Sequence, residues 1–229
     1  MLIAIEGIDG SGKGTQAQLL KEKVQSLGMS AEVLSFPRYG KTLFAQCIAA
    51  YLNGEFGDIT SVTPHSAALL YAGDRFESLT TIIQLSQSHD VLILDRYIAS
   101  NLAHQAAKLN YGERQDFISW LSRIEYEIFG LPKTDFTLYL DMPVELASEL
   151  IHKKKQRNYT EEVADIHERD LQYLAVCRVV YQVLVNMNFD SRWISIQCAR
   201  SDGRVQEVSD IHNAIWNALR DAISIPDTH

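Results

Sequence analysis

The 229-residue chain lacks the features that would build a secreted, membrane-spanning or nucleic-acid-binding protein. Its three cysteines, Cys47, Cys177 and Cys198, are far apart and lack metal-site spacing, which favours free thiols in the reducing cytoplasm. No apolar run approaches the roughly 18 residues of a membrane helix, and Met1 leads into an apolar segment without a targeting sequence. A net charge of −8 provides no basic surplus for nucleic acid. We therefore expect no membrane and no nucleic acid among its partners.

The sequence is also short of linkers between domains. It has only 5 prolines and no stretch rich in serine, glycine and proline, and it contains neither an internal repeat nor a low-complexity tract. With 46% hydrophobic residues, a chain of this length can bury a full core. We expect one domain over residues 1–229 with a small lid at about 152–168.

Short apolar segments alternate with longer amphipathic ones along the chain. Strands are predicted directly before Gly7 and over Ala31–Phe36, Val91–Leu94, Phe136–Leu140 and Trp193–Ile196. Helices are predicted from about Lys13 and over 41–53, 65–88, 99–109, 113–129, 143–155, 165–188 and 203–222, with 156–164 irregular. The alternation indicates an α/β fold, a parallel five-stranded sheet with helices on both faces. Ligands of such sheets bind at the carboxyl ends of the strands.

The first predicted strand and helix are joined by a glycine-rich segment, Gly7-Ile8-Asp9-Gly10-Ser11-Gly12-Lys13-Gly14-Thr15. Glycines let the backbone turn its N–H groups toward an anion, and the helix start adds its positive dipole end. Gly7, Gly12 and Lys13 meet the Gly-x4-Gly-Lys pattern of a phosphate loop, so a P-loop NTPase-type fold is expected. Gly14 stands where Ser or Thr is usual, which leaves Thr15 to offer a hydroxyl to magnesium, directly or through water. An ordinary glycine turn is the alternative, and its position after the first strand disfavours it.

Charged residues follow two further predicted strands. Asp95 ends the run Val-Leu-Ile-Leu, the form of a strand whose carboxylate holds Mg²⁺, although it could instead cap the next helix. Arg96 beside it suits a bidentate phosphate clamp, the alternative being a salt bridge to Asp95 or Asp9. Arg38 follows a Phe-Pro pair at another strand end. All three strand ends are expected to face one crevice.

The strongest basic cluster of the acidic chain is the segment 152–157, His-Lys-Lys-Lys-Gln-Arg. One interpretation is a mobile lid that lowers cations onto a transferring phosphoryl group, since phosphoryl transfer needs positive charge on its equatorial oxygens. The alternative is a solvated helix face.

Several segments together resemble the thymidylate kinase family over nearly the whole chain: Gly7 to Gln16, Phe36-Pro37-Arg38-Tyr39, Asp74-Arg75, and Asp95-Arg96-Tyr97 with Ser100-Asn101. The Gly-Lys-Gly-Thr-Gln turn alone would fit adenylate kinases equally well. The Phe-Pro-Arg-Tyr and Asp-Arg-Tyr segments favour the thymidylate branch. The resemblance implies transfer of the γ-phosphate of ATP to dTMP with Mg²⁺, giving dTDP and ADP, by a homodimer.

The resemblance also implies a role for each site residue. Lys13 would bridge phosphates, while Asp95 and Asp9 would manage magnesium and the acceptor side. The residues that would bind dTMP are Phe36, Arg38, Tyr39, Tyr71, Arg75, Arg96, Asn101 and His104. Asp165 and Glu168 fit the end of the family's lid.

Two departures from the family pattern matter. The phosphate loop lacks the arginine that some members carry, so the catalytic cation is expected from Lys153, Lys154, Lys155 or Arg157. His104 stands where close relatives often have tyrosine near the sugar, although a helical histidine packed on the core is an equal alternative. The competing functions are another nucleoside monophosphate kinase of the same fold and a nucleotide-sensing module without catalysis.

Overall fold

The computed structural model describes residues 1–57, 61–157 and 171–223, and the side chains of residues 153–157 lie outside that description. The strands are β1 (Leu2–Glu6), β2 (Ala31–Ser35), β3 (Val91–Asp95), β4 (Phe136–Asp141) and β5 (Arg192–Gln197). The helices are α1 (Lys13–Gln25), α2 (Leu43–Leu52), α3 (Pro64–Glu77), α4 (Leu79–Ser88), α5 (Ile98–Ala106), α6 (Arg114–Ser122), α7 (Val144–Arg157), α8 (Leu171–Asn186) and α9 (Val208–Leu219). A 3₁₀ turn (Tyr111–Glu113) precedes α6, and a π-helical turn (Arg123–Ile128) follows it.

The five strands form one sheet in the order β2-β3-β1-β4-β5, and every neighbouring pair is parallel. All five residues of β1 are buried, because this central strand is covered on both faces. Helices α1 and α9 pack together and on the sheet, while α8 packs on β4, β5 and α5. The predicted α/β fold with a parallel five-stranded sheet is confirmed.

The register determines which strand ends meet. Ile5 pairs with Asp95, and Glu6 pairs with Tyr139. The chain segments that follow β1 and β3 therefore leave the sheet side by side, which brings the glycine-rich loop next to Arg96. This common carboxyl edge is where the predicted site residues gather.

The predicted helix 65–88 is wrong at one point, because the chain bends at Ser78 between α3 and α4. The Ser78 hydroxyl donates to the Asp74 carbonyl at 2.7 Å, and its N–H is shared between the carbonyls of Asp74 and Arg75. This side-chain bond competes with the regular helical pattern and ends α3.

The predicted helix 113–129 also changes character within its length. After Ser122 the helix widens into the π turn, where an extra residue per turn alters which side chains face inward. Glu125 in that turn is completely buried. Widened turns of this kind often occur at functional sites.

The last helix begins at Val208 rather than at the predicted residue 203. The preceding residues form a tight turn closed by the Arg200 N–H, which donates to the Arg204 carbonyl at 2.7 Å. Helix α7 continues to Arg157, through two residues that were predicted to be irregular. Most of the predicted lid, residues 158–168, lies outside the described residues. In the ranges that are described, no helix is both long and apolar enough to cross a bilayer.

Candidate active site

The phosphate loop between β1 and α1 owes its shape to glycines. Gly10 and Gly12 have φ values of +80° and +87°, in the left-handed region that side chains disfavour. A Cβ atom on Gly10 would lie 2.3 Å from the Ala147 carbonyl oxygen, so no larger residue fits there. No side chain caps the N-terminus of α1, which leaves its first N–H groups directed at the loop. The loop therefore has the geometry of an anion site.

Lys13 folds over this loop at the start of α1. Its Nζ donates to the carbonyls of Gly7 at 3.0 Å and Ile8 at 2.8 Å, and the side chain is buried. Burial, reinforced by the charge of Arg96, lowers the pKa of Lys13 to about 8. The ammonium is thus held beside the loop but is desolvated, and phosphate oxygens would offer it stronger partners than the two carbonyls.

Arg96 and Asp9 form an ion pair across the two strand ends. Arg96 adopts a φ of +67°, unusual for a residue with a side chain, and its Nη1 donates to the Ser100 hydroxyl at 3.3 Å. Burial opposes ionisation of Asp9, but the charges of Arg96 and Lys13 outweigh it and hold the pKa of that carboxyl well below its usual range. Of the two interpretations of Arg96, the structure shows the salt bridge to Asp9, and the guanidinium still borders the loop.

Glu6, which the sequence reasoning missed, supports this arrangement from the last position of β1. The carboxylate is fully buried and accepts the backbone N–H groups of Tyr97 at 2.8 Å and Ser100 at 3.1 Å. It also accepts the hydroxyls of Ser100 at 2.5 Å and Tyr181 at 3.1 Å. Glu6 therefore caps the N-terminus of α5 from a neighbouring strand, beside Arg96. The signal was available, because a carboxylate ends an otherwise apolar strand.

A second buried ion pair lies deeper, between α3 and the π turn. Arg75 donates to both carboxylate oxygens of Glu125, Nε at 2.6 Å and Nη2 at 2.5 Å, with 3% and 0% of the two side chains exposed. Burial works against the charge of Arg75, yet Glu125 outweighs it and raises the pKa of the guanidinium. Sequence reasoning missed Glu125, because nothing marked one acid of a helical segment as buried.

Asn101 of α5 completes this cluster, and its amide orientation is determined by its partners. The Nδ2 group donates to the Ala68 carbonyl and to the Glu125 carboxylate, both at 2.9 Å. Because both partners are acceptors, Oδ1 must point the other way. There it is buried and has no hydrogen-bond partner among the described residues. An unpaired buried acceptor next to a buried guanidinium is the pattern of a ligand pocket.

The turn after β2 carries three predicted substrate residues. Phe36 is buried with its ring centroid 6.3 Å from that of Tyr97, while Arg38 is partly exposed and Tyr39 is 52% exposed. Asp74 of α3 accepts the Arg38 backbone N–H at 3.0 Å and so ties this turn to the helix that carries Arg75. The turn therefore lines the side of the crevice that faces α3.

The structure describes some of the remaining predicted site residues fully, some by their backbone alone, and some not at all. Tyr71 is partly buried on α3, one turn before Arg75, and His104 lies on α5. Lys153 and Arg157 belong to the last turns of α7 by their backbone, and their side chains are outside the description. Asp165 and Glu168 lie outside the described residues altogether.

The predicted magnesium residues do not form a closed metal cage. Asp95 is partly exposed, with Oδ2 3.1 Å from where a Cβ on Gly14 would lie, and Thr15 is exposed on the first turn of α1. The described chain contains no group of three or more metal-ligating side chains. A few carboxylate and hydroxyl oxygens beside a phosphate site suit Mg²⁺, which keeps waters and takes phosphate oxygens as further ligands.

A phosphate loop and Arg96 meet at the carboxyl edge of a parallel sheet, which is the arrangement of a P-loop kinase. The family model described as "Thymidylate kinase" matches residues 5–208. The chain belongs to the thymidylate kinase family.

Individual relatives agree with the family match. A thymidylate kinase of Mycobacterium tuberculosis is 38% identical over 205 residues, covering 90% of this chain and 95% of that one. The thymidylate kinase of Chlorobaculum parvum is 31% identical over 234 residues, covering 99% and 98%. Among solved structures, a thymidylate kinase from Candida albicans superposes with a TM-score of 0.70 at 26% identity, covering 96% of this chain and 91% of that one.

Proposed function

We propose that this protein transfers the γ-phosphoryl group of ATP to dTMP, giving dTDP and ADP on the route to dTTP. The choice of thymine as the base rests on which hydrogen-bond donors and acceptors Asn101 and Arg75 present. Thymine presents a carbonyl acceptor at position 4 next to an N–H donor at position 3. The Asn101 Oδ1 atom is a buried acceptor without a partner in the described structure, and the neighbouring Arg75 guanidinium, whose Nε and Nη2 donate to Glu125, is a hydrogen-bond donor. The pair therefore complements thymine or uracil.

Cytosine presents the reverse pattern, an amino donor at position 4 and an acceptor at position 3. Its amino group would face the Arg75 guanidinium, and its ring nitrogen would face the Asn101 oxygen. Leaving buried polar groups unpaired costs about 1–3 kcal/mol, which corresponds to roughly ten-fold to a hundred-fold discrimination. The same mismatch disfavours other nucleoside monophosphates with an exocyclic amino group in this place.

The chain's own groups supply alignment and positive charge. Loop N–H groups and Lys13 bind the ATP phosphates, while Arg96 and Arg38 bind the phosphate of dTMP. Alignment of the two substrates accounts for much of the rate of phosphoryl transfer. We assign Mg²⁺ to Asp95 and Thr15, with Asp9 on the acceptor side, and when bound the ion neutralises charge on the phosphate oxygens. Asp9 is already engaged by Arg96, so Asp95 is the first candidate ligand.

The catalytic cation in this proposal comes from the basic end of α7. The phosphate loop of this chain has Gly10, Ser11 and Gly14 and no arginine. Replacing Lys153, Lys154, Lys155 and Arg157 one at a time with Ala should identify at least one with a large loss of kcat and a modest change of KM. Uniformly small effects across the four would favour a solvated helix face.

A homodimer is also part of the proposal, supported by an exposed apolar face on α3 and the π turn. Leu69 and Phe76 lie two turns apart on one face of α3, 40% and 49% exposed, and Ile128 is 71% exposed. Neighbouring apolar side chains of this size commonly mark an interface. Light scattering should give the mass of a dimer, and Phe76→Glu should shift it toward a monomer.

One substrate panel tests the proposed function against its alternatives. With ATP and magnesium, coupled ADP release should be fastest with dTMP, followed by dUMP, with dCMP and AMP far slower, while UMP measures how strictly the deoxyribose is selected. A preference for dCMP or AMP would leave only a general nucleotide kinase. Tight nucleotide binding without ADP release from any acceptor would indicate a sensing module.

A further inference from the structure

Asp74, on α3, is a buried carboxylate that binds the turn between β2 and α2. Only 1% of the residue is exposed. Its Oδ2 atom accepts the backbone N–H of Arg38 at 3.0 Å, and its Oδ1 atom accepts the Thr42 hydroxyl at 2.5 Å. Because both partners donate, a carboxylate, which accepts with both oxygens, suits this place better than an amide. Both oxygens of Asp74 are therefore used to hold one turn.

These two bonds fix the backbone of Arg38 and the start of α2. The Arg38 carbonyl accepts the Lys41 N–H at 3.0 Å, so the backbone is held on both sides of the Arg38 Cα atom. The Thr42 hydroxyl accepts the Ala45 N–H at 3.1 Å and so caps α2. Removing the Asp74 carboxylate would leave this hydroxyl and the Arg38 N–H without their acceptor. The path of the chain through the turn therefore depends on α3.

Helices α2 and α3 also approach each other closely beside this turn. The Phe44 ring lies on the backbone of α3, where a Cβ atom on Gly73 would be 2.4 Å from it. Glu77, one turn after Gly73, accepts the backbone N–H groups of Leu43 at 3.1 Å and Phe44 at 3.2 Å. These contacts hold the start of α2, whereas the Asp74 carboxylate reaches back into the turn. The helix and the turn are thus held at separate points of α3, which separate mutations can address.

The same stretch of α3 carries Arg75, which the proposed function places against the thymine base. Consecutive residues of an α-helix point about 100° apart, so Asp74 and Arg75 project from neighbouring sides of α3. Asp74 holds the turn on one side, and Arg75 donates to Glu125 on the other. The Arg38 guanidinium, in contrast, is partly exposed and has no bonded partner in the described part of the chain. One helix therefore sets the separation between the arginine of the turn and the arginine of the base pocket.

We propose that Asp74 is a positioning residue that holds Arg38 in place to bind the phosphate of the acceptor nucleotide. The proposal rests on the proposed function for the contact between Arg38 and that phosphate. Asp74 touches no substrate atom and acts through the backbone of the turn. A guanidinium displaced by about 1 Å loses its alignment with phosphate oxygens, and displacements of this size can cost about a hundred-fold in rate. The effect of Asp74 should therefore depend on whether the ligand carries a phosphate.

The test compares ligands with and without the phosphate. Calorimetry should give the Kd of dTMP and of thymidine for wild type and for Asp74→Ala. This variant should weaken dTMP binding about 10-fold and thymidine binding less than about 2-fold, because thymidine has no phosphate for Arg38 to bind. Asp74→Asn keeps one acceptor for the Arg38 N–H and should recover part of the loss. Glu77→Ala, on the same helix but directed at the start of α2, is the matched control and should leave the ratio of the two Kd values unchanged.

A double-mutant cycle with Arg38→Ala separates positioning from general support of the pocket. In the Arg38→Ala background, adding Asp74→Ala should weaken dTMP binding by less than about 2-fold more, because the two residues act as one unit. Independent, multiplicative losses overturn the proposal, and so do equal losses for dTMP and thymidine, which would show that Asp74 acts on the base pocket. If Asp74→Ala fails to fold, judged by its thermal midpoint, Asp74→Asn gives the same comparison with an expected loss of about 3-fold. A wild type that binds dTMP more tightly than thymidine but does not phosphorylate it contradicts the proposed function alone, since the ratio of Kd values still decides the role of Asp74.

Discussion

The two halves of the active site are built by different means. The donor half is one continuous segment, residues 7–15, whose backbone N–H groups and single lysine need only a tight turn and the start of a helix. The acceptor half is assembled from β2, α3, α5 and the π turn, and the buried Arg75–Glu125 ion pair joins α3 to the π turn. Damage to the donor half should therefore remove activity and spare stability, whereas damage to the acceptor half should affect both.

The largest expected effect on stability comes from the acceptor half. Glu125→Gln leaves the buried Arg75 charge without its carboxylate, and breaking a buried ion pair in this way costs about 3–5 kcal/mol. Denaturant unfolding should show this loss of the free energy of unfolding. Glu127→Gln is the matched control, since its pair with Arg123 is 64–74% exposed and should change stability by less than about 1 kcal/mol. Equal losses of the free energy of unfolding in the two variants would show that the buried ion pair does not stabilise the acceptor half more than an exposed pair does.

Lys13→Ala tests the donor half. Removing a cation aimed at transferring phosphoryl oxygens should reduce kcat by a factor of a hundred or more, roughly 3 kcal/mol, with the fold intact. Turnover and the thermal midpoint should be measured together. Lys21→Ala, on the same helix but paired with Glu32, should retain near-normal turnover. A Lys13 variant that keeps its activity would remove the phosphate-loop interpretation.

Base selection is expected to depend on the fork geometry of Arg75. Arg75→Lys keeps the charge beside Glu125 but loses the two parallel hydrogen bonds and the donor proposed for thymine. We expect kcat/KM for dTMP to fall about ten-fold and the dTMP-to-dCMP ratio to shrink with it, because one contact serves both. An unchanged ratio would show that Arg75 supports the pocket without reading the base.

The smallest expected effect is a pH dependence. Because the pKa of Lys13 is lowered to about 8, kcat/KM for ATP should decline as pH rises above that value and the ammonium loses its charge. For this group, the folded pKa lies below the usual 10.5, so its contribution to stability improves between about pH 8 and 10.5. The decline should therefore not coincide with unfolding of the chain. Lys13→Arg, which does not titrate in this range, should lose the decline.

Sequence reasoning predicted the parallel sheet and the glycine-rich loop because both leave local signals. Continuous apolar runs mark strands buried on both faces, and the residues directly after them lie at one edge of a parallel sheet. It failed at Ser78 and in the π turn, where one side-chain hydrogen bond or one extra residue per turn overrides the helical pattern. It also missed Glu6 and Glu125, because burial of a carboxylate depends on what packs over it.

The sequence by itself determined the phosphate loop and the order of strands and helices along the chain, since a strand, a glycine turn and a helix start are properties of neighbouring residues. Only the tertiary structure decided that Arg75 meets Glu125, 50 positions later, and that the Asn101 oxygen is buried without a partner among the described residues. It also brought Tyr173, 69 residues away, to donate a hydrogen bond to the His104 backbone carbonyl. Packing selects hydrogen-bond partners that are distant in sequence. That packing therefore determines which donors and acceptors the acceptor half presents.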